Sequence, residues 1–358
     1  MLSIIYPYRN RDLNHVQNSL ESLRDQTQKE FDVFFVDYGS DLDISKKARD
    51  LCKKISFVNY KYYSVQDQPW NKSRALNSVI KGLGNGFCFV ADVDMIFDPD
   101  FVKKAIQLQE PNKSVYFQVG FLSSEDIAKD TKFQEAQKYR KSTAEATGLS
   151  MFPVEVLHNL RGFDEFYHFW GAEDTDIHER IKNAGYQLEF YTEKILMLHQ
   201  WHTSYRSKES SELTSDLQLG GVVALNHQHL KSAIYNKTTK VNPKHWGEIM
   251  SDTQFEELQQ AQVDLELTNE KCAIDDLLYG QLASMHNRVF KIRINQASAP
   301  NSLRYKTKKL LNKKILFYYS LKEVNDLLLL HLISFYRDRP YYYKVIDSGK
   351  IIEFAIKF

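Results

Sequence analysis

The sequence predicts an α/β fold with a doubly wound, mainly parallel sheet, followed by a mostly helical C-terminal region. Short apolar runs alternate with stretches of helical periodicity in the N-terminal part, which is the pattern of β-α-β units. Tyr6, Asp37 and Asp92 stand at the ends of three such runs, where parallel sheets bind their ligands. Because the composition changes beyond about residue 205, we expect residues 1–205 to form one domain and residues 206–358 a helical accessory region.

Short runs rich in β-branched and aromatic residues are the predicted strands. Each has the length of a buried strand rather than of a helix, and Pro, Gly or Asp residues close several of them. In chain order these runs are Leu2–Tyr6, Phe31–Val36, Ile55–Tyr63, Phe87–Ala91 and Val115–Phe121.

Stretches with apolar side chains three or four residues apart are the predicted helices. A helix between two strands carries the chain back to the same edge of the sheet, so the alternation favours parallel pairing. In chain order the predicted helices are Asn14–Gln26, Lys72–Lys81, one that opens at Asp98-Pro99, and Ala172–Ala184.

Composition limits the classes of partner and the location. Lys plus Arg is 47 and Asp plus Glu is 46, so the net charge of +1 gives no reason to expect nucleic acid. Three widely spaced cysteines and an N-terminus without a signal-peptide pattern indicate a reducing compartment. No stretch reaches the roughly 18 apolar residues of a membrane span. We expect a cytoplasmic protein, either free or peripheral to the inner face of the membrane.

Two carboxylates, Asp92 and Asp94, follow the apolar run Phe87–Ala91. Side chains two residues apart on a strand face the same way, so these two could converge on one cation. Hard oxygen ligands suit Mg²⁺ or Mn²⁺, and such ions are commonly shared with substrate phosphates. A solvated surface pair is the alternative, but the Gly-rich turn and the apolar strand before the pair favour a ligand role.

An aromatic and acidic segment around Trp170 contains candidates for a base and a sugar platform. Trp170 offers a flat apolar face, and Glu173 and Asp174 follow it at the start of a predicted helix. Carboxylates in a first turn are also expected simply because they complement the helix dipole. That alternative suits Asp176, which can pair with Arg180 four residues further on, and it suits Asp174 less well.

His199 and His202 lie three residues apart after another apolar run. A single histidine is more often structural than a ligand, but this pair occurs in a chain with an independent carboxylate pair. We therefore expect at least one of the two imidazoles to contact the metal.

The predicted helix Lys72–Lys81 begins with basic and amide side chains. A helix N-terminus beside cations favours a diphosphate, which points to Arg74 and Asn77. For Lys72 alone, a normally charged first turn is the preferred interpretation. Asp37 either accepts hydrogen bonds from a ribose or a base edge or closes an Asx turn, and these two interpretations carry equal weight.

These motifs, in this order, resemble inverting glycosyltransferases of the GT-A fold. Residues 162–202 resemble the C-terminal part of the catalytic domains of β-1,4-galactosyltransferases and polypeptide N-acetylgalactosaminyltransferases, which bacterial chondroitin-type polymerases share. The whole match covers about residues 1–205. The first half, residues 3–98, resembles glycosyltransferase family 2 through Tyr6-Pro7-Tyr8-Arg9-Asn10, Val36-Asp37-Tyr38-Gly39-Ser40, Lys72-Ser73-Arg74-Ala75-Leu76-Asn77 and Asp92-Val93-Asp94.

The resemblance implies a role for each matching position. Asp174 would be the catalytic base, and Trp170 and Glu173 would line the acceptor site. The implied ligands of Mn²⁺ or Mg²⁺ are Asp94, His202 and, with a less defined role, His199. The implied contacts to a UDP-sugar donor are Tyr6, Arg9, Asp37, Arg74, Asn77 and Asp92.

The implied function is metal-dependent, inverting transfer of a hexose or N-acetylhexosamine from a UDP-sugar to an acceptor glycan, in bacterial surface polysaccharide synthesis. A nucleotidyltransferase also uses paired acids on an α/β sheet, but it would usually carry a Gly-rich phosphate loop near its first strand, and Tyr6–Asn10 has none. A non-catalytic nucleotide-sugar- or glycan-binding subunit is the other alternative. Such a subunit would not need Asp94, Asp174 and His202 together.

A basic cluster in the C-terminal region lies next to a Leu- and Tyr-rich stretch. Cations beside apolar side chains can hold a surface on anionic lipid, so peripheral membrane contact is one hypothesis. Ordinary solvated lysines on a packed helix are the alternative, and we weight it more heavily. The cluster consists of Lys306, Lys308, Lys309, Lys313 and Lys314.

Overall fold

The computed structural model describes residues 1–126, 133–202 and 212–358, and these form two compact units. The first unit contains residues 1–66, 70–202 and 223–249, and the second contains residues 67–69, 212–222 and 250–358. The predicted boundary at residue 205 lies outside the described residues. Residues 223–249, on the C-terminal side of that boundary, belong with the first unit.

The strands of the first unit form two sheets. In chain order they are β1 (Leu2–Tyr8), β2 (Phe31–Tyr38), β3 (Val58–Tyr63), β4 (Phe87–Val90), β5 (Met95–Phe97), β6 (Lys113–Phe117), β7 (Gly120–Phe121), β8 (Arg140–Lys141), β9 (Ser150–Pro153), β10 (Gln187–Tyr191) and β11 (Met197–His199). Among the described residues the larger sheet has the order β10-β6-β9-β4-β1-β2-β3 and is parallel except at β9, which is antiparallel to both neighbours. This confirms the predicted doubly wound, mainly parallel sheet.

The helices of this part of the chain are α1 (Leu13–Arg24), α2 (Leu42–Cys52), α3 (Lys72–Ile80), α4 (Phe101–Gln107), α5 (Val154–Leu160), α6 (Glu173–Asn183) and α7 (Val222–Tyr235). The four predicted helices correspond to α1, α3, α4 and α6. Helix α2 was not predicted because its buried face consists of Ser45, Ala48 and Cys52, whose small side chains give a weak hydrophobic pattern.

The core of the first unit forms around the larger sheet. Ile4, Val33, Phe35 and Phe89 are fully buried there. Full burial of one such side chain is worth roughly 1.5–3 kcal/mol relative to exposure. These strands are therefore stable and fix the positions of the residues at their carboxyl ends.

The smaller sheet, with the order β5-β11-β7-β8 among the described residues, brings distant segments together. Strand β11 is antiparallel to β5, and the register sets His199 opposite Met95. This pairing places a histidine beside the residue that follows Asp94. It is the feature of the fold that assembles the candidate site.

The second unit combines helices with a four-stranded sheet of order β12-β13-β15-β14, counted over the residues that the structure describes. Its elements are α8 (Asp252–Gln260), β12 (Leu265–Thr268), α9 (Lys271–Asp276), α10 (Leu282–Ser284), β13 (Val289–Asn295), α11 (Leu303–Leu310), α12 (Leu321–His331), β14 (Tyr341–Ile346) and β15 (Ile351–Lys357). The predicted helices are present. The sheet was not predicted, although Phe290, Ile292 and Ile294 alternate with the period of a strand. None of the described helices is long and apolar enough to cross a bilayer.

Candidate active site

Asp94, His199 and His202 form a cluster of metal-ligating type, with one ligand atom from each lying within 4.8 Å of the others. Nε2 of His202 lies 3.2 Å from Oδ2 of Asp94, and Nε2 of His199 lies 3.7 Å from Oδ1. Gln200 fixes the backbone between the two histidines, because its N–H donates to the Asp94 carbonyl at 3.0 Å and its side chain donates to the His15 carbonyl. The two histidines, three residues apart, therefore both reach the Asp94 carboxylate.

The environment of Asp94 fits a divalent cation. Its side chain is buried, and its Oδ1 atom has no hydrogen-bond partner among the described residues, which is unusual for a buried carboxylate. Burial would raise the pKa of Asp94, but the adjacent His202 and His199 outweigh this and lower it, so the carboxylate is ionised. A set of one carboxylate and two imidazoles is more typical of a transition metal such as Mn²⁺ than of Mg²⁺, which takes oxygen ligands.

Lys72 is the centre of a second cluster, which contains three carboxylates. Its Nζ atom lies 3.2 Å from Oδ2 of Asp174, 3.4 Å from Oε1 of Glu173 and 3.4 Å from Oδ1 of Asp92. Lys72 is the first residue of α3, and Glu173 and Asp174 are the first two residues of α6. Two helix N-termini and the segment after β4 therefore meet at one point.

The electrostatics of this second cluster place Asp174 near its titration point at neutral pH. Burial raises the pKa of Asp174 to about 7, and repulsion from Glu173 and Asp92 adds to that effect while Lys72 opposes it. Burial alone would lower the pKa of Lys72, but the three carboxylates outweigh it and raise that pKa well above its ordinary value. A carboxylate with a pKa near 7 beside a permanent cation is well suited to accept a proton.

Trp170 lies in an irregular turn just before α6, with 41% of its surface exposed. Phe169, Gly171 and Ala172 all have positive φ angles, of 62°, 104° and 73°. Three of the four residues from Phe169 to Ala172 thus have backbone φ angles in the left-handed region. The Trp170 indole lies at the surface, next to the helix that carries Asp174. That Trp170 walls the acceptor site stays a prediction.

The structure corrects the expectation that Asp92 and Asp94 converge on one cation. Strand β4 ends at Val90, so the rule that side chains two apart face the same way does not apply beyond it. Asp92 contacts Lys72, whereas Asp94 contacts the two histidines. The short motif thus supplies one carboxylate to each cluster.

Arg74 and Asn77, which were predicted to contact the donor, both contact Glu165. Both side chains are buried and contact Glu165, at 2.9 Å from Nε of Arg74 and 3.0 Å from Nδ2 of Asn77. Asn77 also pairs with both backbone groups of Phe163. These contacts tie α3 to the segment before α6 and so help to position Lys72, and the donor contact of the two residues stays a prediction.

Tyr6, another predicted donor contact, lies in the core. Its side chain is completely buried, and its hydroxyl lies 2.6 Å from Oγ of Ser19. Burial raises the pKa of this phenol above its ordinary value. A side chain enclosed in the core and already paired is not placed to contact a donor.

Asp37 and Arg9 lie at the ends of β2 and β1. The buried Asp37 carboxylate accepts the Ser40 N–H at 2.9 Å and the Tyr60 hydroxyl at 2.8 Å, and burial raises its pKa. The bond to the Ser40 N–H, three residues further on, helps to close the turn after β2. Arg9 is partly exposed and donates to the Gln66 carbonyl.

Lys72 is the functional candidate that sequence reasoning set aside. A signal was available: a lysine at the first position of a helix opposes the helix dipole and needs a compensating anion. The compensating anions are distant in sequence, so the lysine alone could not identify them.

Two family models match overlapping parts of the chain. The model described as glycosyl transferase family 2 matches residues 3–160, and the model described as the N-terminal domain of galactosyltransferase matches residues 130–203. Together they cover every residue of both clusters. Residues beyond 203 lie outside these matches.

Curated relatives and a solved structure are similar to the same part. Beta-1,4-galactosyltransferase 5 of Sus scrofa is 26% identical over 140 residues, which is 38% of this chain and 32% of that protein. An uncharacterized glycosyltransferase of Rickettsia felis is 29% identical over 115 residues, 32% of this chain and 18% of that protein. The chain thus spans about a third or less of these relatives. The crystal structure of GalNAc-T7 with UDP, GalNAc and Mn²⁺ has a TM-score of 0.50 at 13% identity, covering 66% of this chain and 49% of that one, and it shows the shared fold.

Proposed function

We propose, on the premise that this chain is a glycosyltransferase of the GT-A fold, that it transfers a hexose or N-acetylhexosamine from a UDP-sugar to an acceptor glycan with inversion and with a divalent metal ion. The observation that carries the proposal is the pair of clusters joined through Asp92 and Asp94. One cluster suits a cation and the other holds a carboxylate with a pKa of about 7.

The metal cluster would hold Mn²⁺ through Asp94, His199 and His202. The ion would supply positive charge to offset the charge that develops on the leaving diphosphate. Support comes from the unpaired Oδ1 atom of Asp94 and from the two imidazole nitrogens that point at the same carboxylate. Mg²⁺ is the weaker candidate because two of the three ligands are nitrogens.

Asp174 is the base in this proposal. The acceptor hydroxyl loses its proton to the Asp174 carboxylate as its oxygen bonds to the anomeric carbon, and the bond from that carbon to the diphosphate oxygen breaks. Attack from the face opposite the leaving UDP inverts the anomeric centre. Lys72 lowers the pKa of Asp174 and so favours its ionised form, and Glu173 and Trp170 line the place where the acceptor sugar binds.

The donor would bind along the carboxyl ends of β1, β2 and β4. Asp92 has the most exposed carboxylate of the second cluster and is the leading contact to a donor hydroxyl. Arg9 and Asp37 remain candidates for the nucleotide end. As the setting we propose bacterial surface polysaccharide synthesis in the cytoplasm.

A donor panel tests the proposal directly. The full chain is incubated with each of the common UDP-hexoses and UDP-N-acetylhexosamines, with and without hexosamine-terminated oligosaccharides, and UDP release is measured. We expect Mn²⁺-dependent release that an acceptor stimulates, with an inverted linkage in the product. Binding of UDP and Mn²⁺ without turnover of any donor would instead identify a binding subunit, and pyrophosphate release from UTP would identify a nucleotidyltransferase.

A further inference from the structure

The second unit carries a surface that its own packing does not explain. Helix α11 and the returning segment up to Phe317, here called the basic hairpin (residues 303–317), carry five large apolar side chains that are 53% to 84% exposed. Helix α11 buries none of its side chains within the described chain. The five apolar residues are Leu303, Leu310, Leu311, Leu316 and Phe317.

The hairpin has a defined shape. Asn312 turns the chain with a φ of 50°, and the Lys313 N–H donates to the Lys308 carbonyl at 2.9 Å. The Tyr305 hydroxyl donates to the Leu316 carbonyl at 2.8 Å and so fastens the helix to the returning segment. These bonds hold the helix and the returning segment together, and both segments carry exposed apolar side chains.

The charge of this surface has one sign. The basic hairpin carries six cations and no acid, and no Asp or Glu occurs from Leu277 to Lys322. In the part of the chain that the structure describes, no carboxylate lies within 4.0 Å of these six side chains. They are Arg304, Lys306, Lys308, Lys309, Lys313 and Lys314.

We propose that the basic hairpin docks the chain on an anionic phospholipid bilayer. Unpaired lysines attract anionic headgroups, and exposed leucines and a phenylalanine gain by entering the boundary of the acyl chains. A nucleic acid would offer the same charge but no apolar phase for five large aliphatic and aromatic side chains. Five of the six cations are lysines, whereas bidentate phosphate recognition uses arginine.

This inference stands apart from the proposed sugar transfer, because every residue of the basic hairpin lies in the second unit and outside the matched domains. It proposes where in the cell the chain acts, namely at the surface of a bilayer. A chain held at a bilayer meets acceptors that are carried on lipid.

Vesicle co-sedimentation of the full chain tests the proposal. The probes are vesicles of phosphatidylcholine alone and of phosphatidylcholine mixed with phosphatidylglycerol, each at low and at high salt. We expect binding to the anionic vesicles that weakens with salt, since screening shortens the reach of exposed charges. The charge variant replaces Lys306, Lys308, Lys309, Lys313 and Lys314 with Gln and should bind at least about tenfold more weakly.

Two further variants separate charge from apolar insertion and local from global effects. Leu310→Ser/Leu311→Ser/Phe317→Ser keeps every charge and should also lose binding to anionic vesicles. The control replaces five exposed lysines of the first unit with Gln and should bind like the wild type, although its net charge changes equally. The control lysines are Lys47, Lys53, Lys54, Lys103 and Lys231.

Several results would overturn the proposal. They are equal binding to neutral and anionic vesicles, equal loss in the control, and tighter binding to a nucleic acid than to vesicles. A wild-type dimer that the charge or serine variant dissociates would mean that the basic hairpin is a self-association surface. UDP release with a soluble acceptor should be unchanged in all three variants, so a failure here is distinguishable from a failure of the proposed reaction.

Discussion

The ammonium of Lys72 lies 3.2 Å from the carboxylate of Asp174, and two further carboxylates compete for the same cation. The Lys72 ammonium is thus the shared partner of three carboxylates in a largely buried cluster. Burial raises the pKa of Asp174 to about 7, and repulsion from Glu173 and Asp92 opposes the lowering by Lys72.

Replacing Asp174 with Asn should lower kcat about 10²- to 10⁴-fold, because the amide keeps the shape of the carboxylate but cannot accept the acceptor proton. The affinity for the UDP-sugar should change little. Steady-state kinetics with a donor titration measure both quantities. A variant that keeps kcat and loses donor affinity would make Asp174 a binding residue, and Glu173 would then be the leading base.

The same substitution should stabilise the folded chain at alkaline pH. The folded pKa of Asp174, about 7, is above its ordinary value of 3.8, so the folded state keeps a proton that the unfolded chain has lost between those two values. The contribution of this group to stability therefore falls as pH rises from about 4 to about 7. Urea unfolding of wild type and Asp174→Asn should show a larger advantage for the variant at about pH 8 than at about pH 4. An advantage that does not vary with pH would contradict the raised pKa.

Replacing Lys72 with Met should move the acidic limb of the kcat/KM profile to higher pH by about 1–3 units. The lysine lowers the pKa of Asp174, and its loss leaves the repulsion from Glu173 and Asp92 unopposed. Lys81→Met is a matched control, since Lys81 follows the same helix and pairs with the exposed Glu248. A profile that moves equally in both variants, or in neither, would rule out the coupling.

Removing the side chain of Asp94, His199 or His202 should weaken Mn²⁺ binding and abolish Mn²⁺-dependent turnover, because each supplies one ligand atom. Mn²⁺ titration followed by electron paramagnetic resonance measures the loss independently of activity. His227→Ala, at an exposed position of α7, is the control and should bind Mn²⁺ normally. Full turnover in EDTA would refute a metal-dependent reaction.

Replacing Arg74 with Met should lower the free energy of unfolding by about 3–5 kcal/mol, because it leaves the Glu165 carboxylate buried without its cation. The UDP affinity of the folded variant should be unchanged if Arg74 only positions α3. Arg49→Met, at an exposed position of α2, should cost little. Unchanged stability with lost UDP affinity would restore the original assignment of Arg74 as a donor contact.

Local pattern determined much of the fold and the choice of chemistry. Strands β1, β2 and β4 were predictable because a short apolar run that is followed by turn residues is typical of a buried strand and too short for a helix. The candidate base and metal ligands were found because they stand within short motifs at the ends of those elements. Helix α2 was not predicted because its hydrophobic pattern is weak. The sheet of the second unit was not predicted although its residues alternate with the period of a strand.

The tertiary structure alone decided which side chains act together. Asp94 meets His199 through the register of β5 and β11, and Asp92 meets Lys72 because β4 ends at Val90. Arg74 pairs with the buried Glu165, a partner 91 residues away that the motif does not indicate. The physical reason is that a motif specifies residue types and their local direction, whereas burial, pairing and the pKa of Asp174 depend on groups that only long-range packing brings within a few ångströms.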